Sequence, residues 1–519
     1  MCKVKEQAQA EYMQQNLRTT PRMRSRTKSI SDLAEPAQSS IVQFSTYYIY
    51  VCAVLIGLWY DFVDLILQFW FGLSLTMQQL TNVKPLIFLG DPFYWCFDDC
   101  RASRLWNCLN NVVSSTPGAR IEVVQRKRNA DGSVELLDTT RKCLNLGSYN
   151  YLGFADDWQN TCRDRVMKSL DEFGVTTAAS VVSGGYTSVH KELEESVAAF
   201  VGKEAAVCFN MGYGTNQTAI PAFFGKGCLL ISDTLNHTSI VNGSRASGAT
   251  IRVFKHNNVE HLESVLQTAI IEGQPLTHRP WKKILVMVEG VYSMEGEVCE
   301  LAGIVSMAKK YKAYMYVDEA HSIGALGATG RGICEYAGVD PADVDILMGT
   351  FTKSFSGMGG YLASSKEFID YIRSQSMGTV LAQSMSPVVA QQILTALRII
   401  DGKDGTNLGR QKLQDIRDNS NYFRKELIRM GLQVLGDEDS PVIPVMLYVP
   451  TKLSLFHELC MERGLAVVCV GFPAVGLNGS RVRFCISAGH TRKDLEDAIE
   501  KLREVADILM LHYNNSALG

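Results

Sequence analysis

From Leu144 onward, short apolar runs alternate with longer stretches of helical period, and this alternation constrains the fold more than any other feature of the chain. Residues 206–209, 229–232, 284–288, 314–317 and 346–348 are compact apolar runs, the pattern of strands buried on both faces. Between them lie helical patterns such as 190–200 and 259–271. Strands alternating with helices imply a mostly parallel sheet with helices on both faces, an α/β architecture. Beyond residue 407 a long helical stretch leads to strands at 441–448 and 466–470 and a final helix from Lys493, which predicts a smaller α+β domain.

At 519 residues the chain is long enough for two or three domains. Its net charge of −3 carries no basic footprint for nucleic acid. Fourteen cysteines are scattered, mostly in apolar contexts. Cys96 and Cys100 form a CxxxC pair without a second pair at zinc spacing, so no metal site is expected. Buried, reduced thiols fit a cytosol-facing compartment. Residues 1–45 read as a flexible basic tail with Arg18, Arg22, Arg24, Arg26 and Lys28. Residues 46–80 contain YYIYVCAVLIGLWY, then Asp61 and Asp64, then LILQFWF. The uncharged part is short for a full span and its ends are rich in aromatics, so a membrane-associated amphipathic helix is expected. Residues 81–143 lead into a large catalytic domain over 144–406, followed by a small C-terminal domain over 407–519.

The chemistry is carried by two strings. An apolar run ends in Asp318-Glu319-Ala320-His321, and a later one leads into Thr350-Phe351-Thr352-Lys353-Ser354. A DEAH string also occurs in helicases, but no GxxxxGK[ST] phosphate loop accompanies it. In a doubly wound sheet, ligands gather at the carboxyl ends of strands, where both strings fall. A lysine flanked by small hydroxyl residues, with a carboxylate ending an earlier strand, suits pyridoxal phosphate. The amine forms a Schiff base with the cofactor aldehyde, and the carboxylate keeps the pyridine nitrogen protonated.

Several long strings agree with this reading: LNLGSYNYLGF, LNHTSIVNGSRASGATIRVFKHNN, VEGVYSMEGE, YVDEAHSIGALGATGRG and GTFTKSF. Over roughly 145–511 the chain resembles the α-oxoamine synthase family of fold-type I pyridoxal phosphate enzymes, and most of all its eukaryotic serine-using members. The resemblance implies Lys353 as the Schiff-base residue and Asp318 as the partner of the pyridine nitrogen. It implies His321 on the cofactor's phenolic oxygen and His237 against the ring face, helping to hold the amino acid. Gly212 and Tyr213 match the turn that meets the phosphate, where glycine permits close approach and a helix start offers free N–H groups. Thr350 and Thr352 are expected to add hydroxyls there. Asn150 matches a residue near the acyl-CoA and substrate entrance. Arg483 matches the family's C-terminal arginine, suited either to a substrate carboxylate or to a structural salt bridge.

Two departures stand out. Bacterial members place an arginine before a Pro-Pro stretch, where this chain has Gly471-Phe472-Pro473-Ala474. Val475-Gly476 replaces the usual Thr-Pro. The implied reaction condenses L-serine with palmitoyl-CoA, releasing CoA and CO2 and giving a 3-oxo long-chain base that opens sphingolipid synthesis. The alternatives are glycine with a short acyl-CoA, or a non-catalytic scaffold subunit, against which Lys353 argues. Further expectations are a heterodimer with a homologous subunit lacking the lysine, with phosphate contacts crossing near 382–385. They extend to small regulatory membrane subunits and to the endoplasmic reticulum membrane, with the catalytic domain facing the cytosol.

Overall fold

The computed structural model describes residues 111–128, 134–472, 474–476 and 478–513. The expected membrane-associated helix lies outside these residues. Among the described residues, no helix is long and apolar enough to cross a membrane.

The chain opens on an antiparallel hairpin, β1 (Arg120–Arg128) and β2 (Val134–Asn145). Then comes the expected alternation: β3 (Ala205–Phe209), β4 (Leu229–Asp233), β5 (Thr250–Phe254), β6 (Ile284–Glu289), β7 (Tyr314–Asp318), β8 (Ile346–Thr350) and β9 (Gly360–Ser364). These seven form one sheet in the order β3-β9-β8-β7-β6-β4-β5. β9 runs antiparallel to both neighbours, and the other pairings are parallel. Each expected strand appears within two residues of its predicted ends. β5 and β9 were not legible: β5 is an edge strand with Ile251 and Val253 exposed, and β9 opens at the Gly359-Gly360 pair.

Central strands are buried along almost their whole length, so each face needs a helical cover. One face packs Val286, Val317 and Leu347 with Leu193, Leu266 and Ile393. The other packs Leu230, Met287 and Tyr316 with Ile220, Phe223 and Ile240. After the helices Pro387–Ile400 and Leu408–Arg429, a second sheet forms from β10 (Val442–Tyr448), β12 (Val468–Val470) and β13 (Ser480–Cys485), with β13 central. The expected strand at 466–470 is split. β11 (Leu465–Ala466) pairs parallel with β2 and β12 pairs with β13, so the leading hairpin is stitched to the C-terminal part. The helix Arg492–Leu509 opens on a capping box at Thr491 and Asp494 and buries Leu495, Ile499 and Leu502. All nine described cysteines are buried and unbridged.

Candidate active site

The site lies where the carboxyl ends of β4, β6, β7 and β8 meet β13. Asp318 ends β7, buried with the strand. Its Oδ2 accepts from Asn216 Nδ2 at 2.8 Å and its Oδ1 from the Ala320 N–H at 2.9 Å, which aims the carboxylate. Asn216 also donates to Ser239 and accepts from the Tyr316 hydroxyl.

Lys353 follows β8 in a tight turn. Its Nζ lies 5.4 Å from the Tyr149 ring centre and makes no hydrogen bond or ion pair among the described residues. Burial pushes the amine down to about 8, against the opposing pull of Asp318 and then Glu289. His321 sits three residues past Asp318, its Nδ1 2.7 Å from the Tyr151 hydroxyl and its ring edge-on to Tyr149. Burial, then the charges of Lys353 and Arg483, hold His321 well below the usual imidazole range. Burial also raises Tyr151, whose hydroxyl engages Nδ1 and leaves Nε2 as the ring nitrogen free to meet a ligand.

His237 caps the helix Thr238–Ser247. Its Nδ1 meets Ser239 Oγ at 2.7 Å, and its ring lies edge-on to Tyr213 at 5.8 Å. The helix Gly212–Phe223 begins without a side-chain cap. Its first intrahelical bond runs from Thr215 N–H to Met211 C=O, so the N–H groups of Gly212, Tyr213 and Gly214 have no partner within the helix. A Cβ on Gly212 would stand 2.6 Å from Thr350 Oγ1, which itself bonds Thr352 Oγ1 at 2.9 Å. Thr350 Oγ1 donates to the Gly359 carbonyl at 2.9 Å, so the unfilled N–H groups and the Thr352 hydroxyl are the donors left there, a cradle for an anion.

Arg483 lies on β13, buried, with its guanidinium 4.7 Å from the Tyr149 ring centre. Its Nη1 touches Met294 Sδ at 3.8 Å, and its buried Nε has no hydrogen-bond partner. No carboxylate among the described residues pairs with it, which removes the salt-bridge alternative there. Asn150 bonds within the protein, in the turn that meets the loop after Lys353. Its amide donates to Asp156 at 2.9 Å and accepts from Ser356 Oγ at 2.9 Å, tying its turn to the loop after Lys353.

A model of the aminotransferase class I and II family matches residues 141–502. The chain belongs to that family. Long chain base biosynthesis protein 2a of Arabidopsis thaliana is 52% identical over 473 residues, covering 90% of this chain and 94% of its own. Serine palmitoyltransferase 2 of Dictyostelium discoideum is 50% identical over 413 residues, covering 79% of this chain and 84% of its own. Among solved structures, Sphingomonas wittichii serine palmitoyltransferase aligns with a TM-score of 0.69 at 29% identity, covering 80% of this chain and 98% of that one. A serine palmitoyltransferase from S. paucimobilis, solved with bound pyridoxal phosphate and myriocin, aligns with the same score at 27% identity and the same coverage.

The residues present fit pyridoxal phosphate, the group named with that family neighbour. An unpaired amine, an aimed carboxylate and an open helix start with the Thr352 hydroxyl face one cleft. Residue-by-residue reading missed Glu289, Tyr149, Tyr151, Asn216 and Ser239. Glu289 ends β6 directly beside Asp318 and accepts the His237 N–H. Burial, then the charge of Asp318, raises Glu289 well above the carboxylate range. The available signal was an acid closing an apolar run in the VEGVYSMEGE string.

Proposed function

We propose that the chain is a pyridoxal phosphate-dependent serine C-palmitoyltransferase, condensing L-serine with palmitoyl-CoA to 3-oxosphinganine, CoA and CO2. One observation carries it: Lys353 offers an unpaired amine beside Asp318 and beside Arg483, which has no carboxylate partner among the described residues. The relatives' names supply the substrate class. When bound, the cofactor supplies an aldehyde for imine formation and an electron-accepting ring.

This chain's residues do the rest. Asp318, aimed by Asn216, holds a proton on the ring nitrogen. His321, engaged by Tyr151 at Nδ1, would present Nε2 to the phenolic oxygen. The Gly212–Gly214 N–H groups, with the Thr352 hydroxyl, meet the phosphate. Tyr213 and His237 wall the ring. Lys353, its amine lowered to about 8, takes and returns the proton at the substrate Cα. Arg483 grips the serine carboxylate, which answers the absent Pro-Pro-loop arginine. Asn150 braces the floor.

The reading includes a membrane-bound complex at the endoplasmic reticulum, with the catalytic domain facing the cytosol. A lysine-lacking homologous subunit would complete the phosphate site, and small membrane subunits would regulate it. Its support is the aromatic-rich segment at 47–71 and the exposed Met211, Met358, Met377 and Leu381 beside the phosphate turn and segment 382–385. Assay of the purified membrane complex with serine or glycine, against palmitoyl-, acetyl- and succinyl-CoA, tests the function. Serine with palmitoyl-CoA is expected to dominate, and preference for glycine with a short donor would overturn it.

A further inference from the structure

Behind the cofactor cleft, and taking no part in the chemistry above, lies a buried cluster of charges. Asp233, His256, Glu295, Glu297 and Arg481 are each under a tenth exposed. They come from four elements: the end of β4, the loop after β5, the loop 290–298 after β6, and β13. Asp233 is saturated: Oδ1 accepts from His256 Nδ1 at 2.9 Å and from the Leu235 N–H at 2.9 Å, and Oδ2 accepts from the Asn257 N–H at 3.0 Å. The opposite edge of the imidazole faces loop 290–298. His256 Nε2 lies 3.3 Å from Glu297 Oε2, an ion-pair distance with the N–H pointing off the oxygen. Tyr292 of the same loop stands edge-on to the ring at 4.3 Å.

The far end of that loop grips the second sheet. Arg481 donates to the Met294 carbonyl at 2.8 Å and pairs with Glu295 at 3.3 Å. Gly296, at φ +68°, lies so close to β10 that a Cβ would stand 2.5 Å from the Val442 carbonyl oxygen. Its own carbonyl accepts from the Asp437 N–H at 3.2 Å, and the Asp437 side chain accepts from the Val298 N–H at 2.8 Å. Arg481 and Arg483 are two residues apart on β13 and therefore share a face. Met294 touches both, Arg481 through its carbonyl and Arg483 through its sulfur.

We infer that His256 is a positioning residue: held as a cation between Asp233 and Glu297, it clamps loop 290–298, and the loop sets Arg483 for the substrate carboxylate. Burial alone would strip the proton from this imidazole, but its hydrogen bond to Asp233 and the nearby Glu297 carboxylate raise it to about 10. Removing the cation takes one counter-charge away from the buried Asp233 and Glu297, which loosens the loop carrying Met294. The inference rests on the functional reading for the role of Arg483, but not for the clamp itself.

The test compares His256→Gln, Glu297→Gln and the double variant in the full-length complex loaded with cofactor. Hydrogen exchange of residues 290–298 reports the clamp, and serine kinetics report its consequence. Each single variant is expected to speed exchange across 290–298. Each should also raise the KM for serine on the order of ten- to hundredfold, the cost of a small misplacement. The kcat should stay within about twofold and cofactor absorbance should be unchanged, because Lys353 and Asp318 are untouched. The double variant should be no worse than His256→Gln, which already removes the Glu297 contact along with the Asp233 bond. Unchanged exchange overturns the clamp. Faster exchange with unchanged KM overturns the positioning role, as do additive effects or loss of cofactor. Should His256→Gln fail to fold, Glu297→Gln alone decides by the same readings. If the wild-type complex does not consume serine, the functional reading fails, while the exchange data still decide the clamp.

Discussion

Two basic side chains near the sheet's carboxyl edge, half-buried Lys353 and buried His256, meet the same penalty and end up opposite. Lys353 faces the cofactor cleft with no ion-pair partner, and burial takes its amine down to about 8. His256 sits behind it between Asp233 and Glu297 and is pushed up to about 10. Burial disfavours the charged form of both, and neighbours decide the outcome. Where acids are aimed elsewhere, as Asp318 is by Asn216, the base becomes a nucleophile. Where acids converge on it, the base becomes a fixed strut.

The largest expected effect falls on the unpaired base. Lys353→Ala should abolish turnover, a loss of at least about 10⁴-fold for a covalent catalytic residue, together with the visible absorbance of the bound cofactor. Measurable turnover without that absorbance would break the contrast, because Lys353 would then be no more than a buried cation.

Next in size is Arg483→Lys. A lysine keeps the charge but loses the planar fork, so the KM for serine should rise about ten- to hundredfold, with cofactor absorbance unchanged. A fall in cofactor occupancy instead would place Arg483 with the cofactor.

The smallest effect is in pH. In protein stripped of cofactor, capture of added pyridoxal phosphate requires the neutral amine of Lys353. Its rate should therefore climb by about tenfold per pH unit and level off near pH 8. Stopped-flow absorbance would follow it, and a midpoint near the ordinary lysine value of 10.5 would show that burial does not set the amine. Stability sharpens the comparison through the opposite signs. Lys353 titrates lower folded than unfolded, so as pH rises from about 8 to 10.5 the unfolded state binds more protons and the folded state gains. His256 titrates higher folded than unfolded, so its contribution is complete below about 6.5 and lost as pH rises through about 10.

Much of the large sheet was legible, because strands buried on both faces must be apolar throughout, as 284–288 and 346–348 are. β5 escaped because half of its residues face solvent, and β9 because small residues dilute the pattern. In the site, Lys353, Asp318 and His321 announced themselves by residue type in characteristic strings. Glu289 did not, because its importance comes from register: it stands beside Asp318 only when β6 pairs with β7. Asn150 had a recognisable string, and the tertiary structure adds that its amide ties Asp156 to Ser356 in the loop after Lys353.

By itself, the sequence determined the order of elements and the chemistry on offer: a lysine after one strand, a carboxylate ending another, a glycine opening a helix, an arginine near the end. Those depend on local pattern and residue type, which a chain carries unfolded. Which charges pair was decided only by the tertiary structure. Lys353 is left partnerless, and His256 is enclosed by acids 23 residues before it and 41 after it. The sign of a buried group's titration depends on what packing brings within a few ångströms, and no linear spacing encodes that distance.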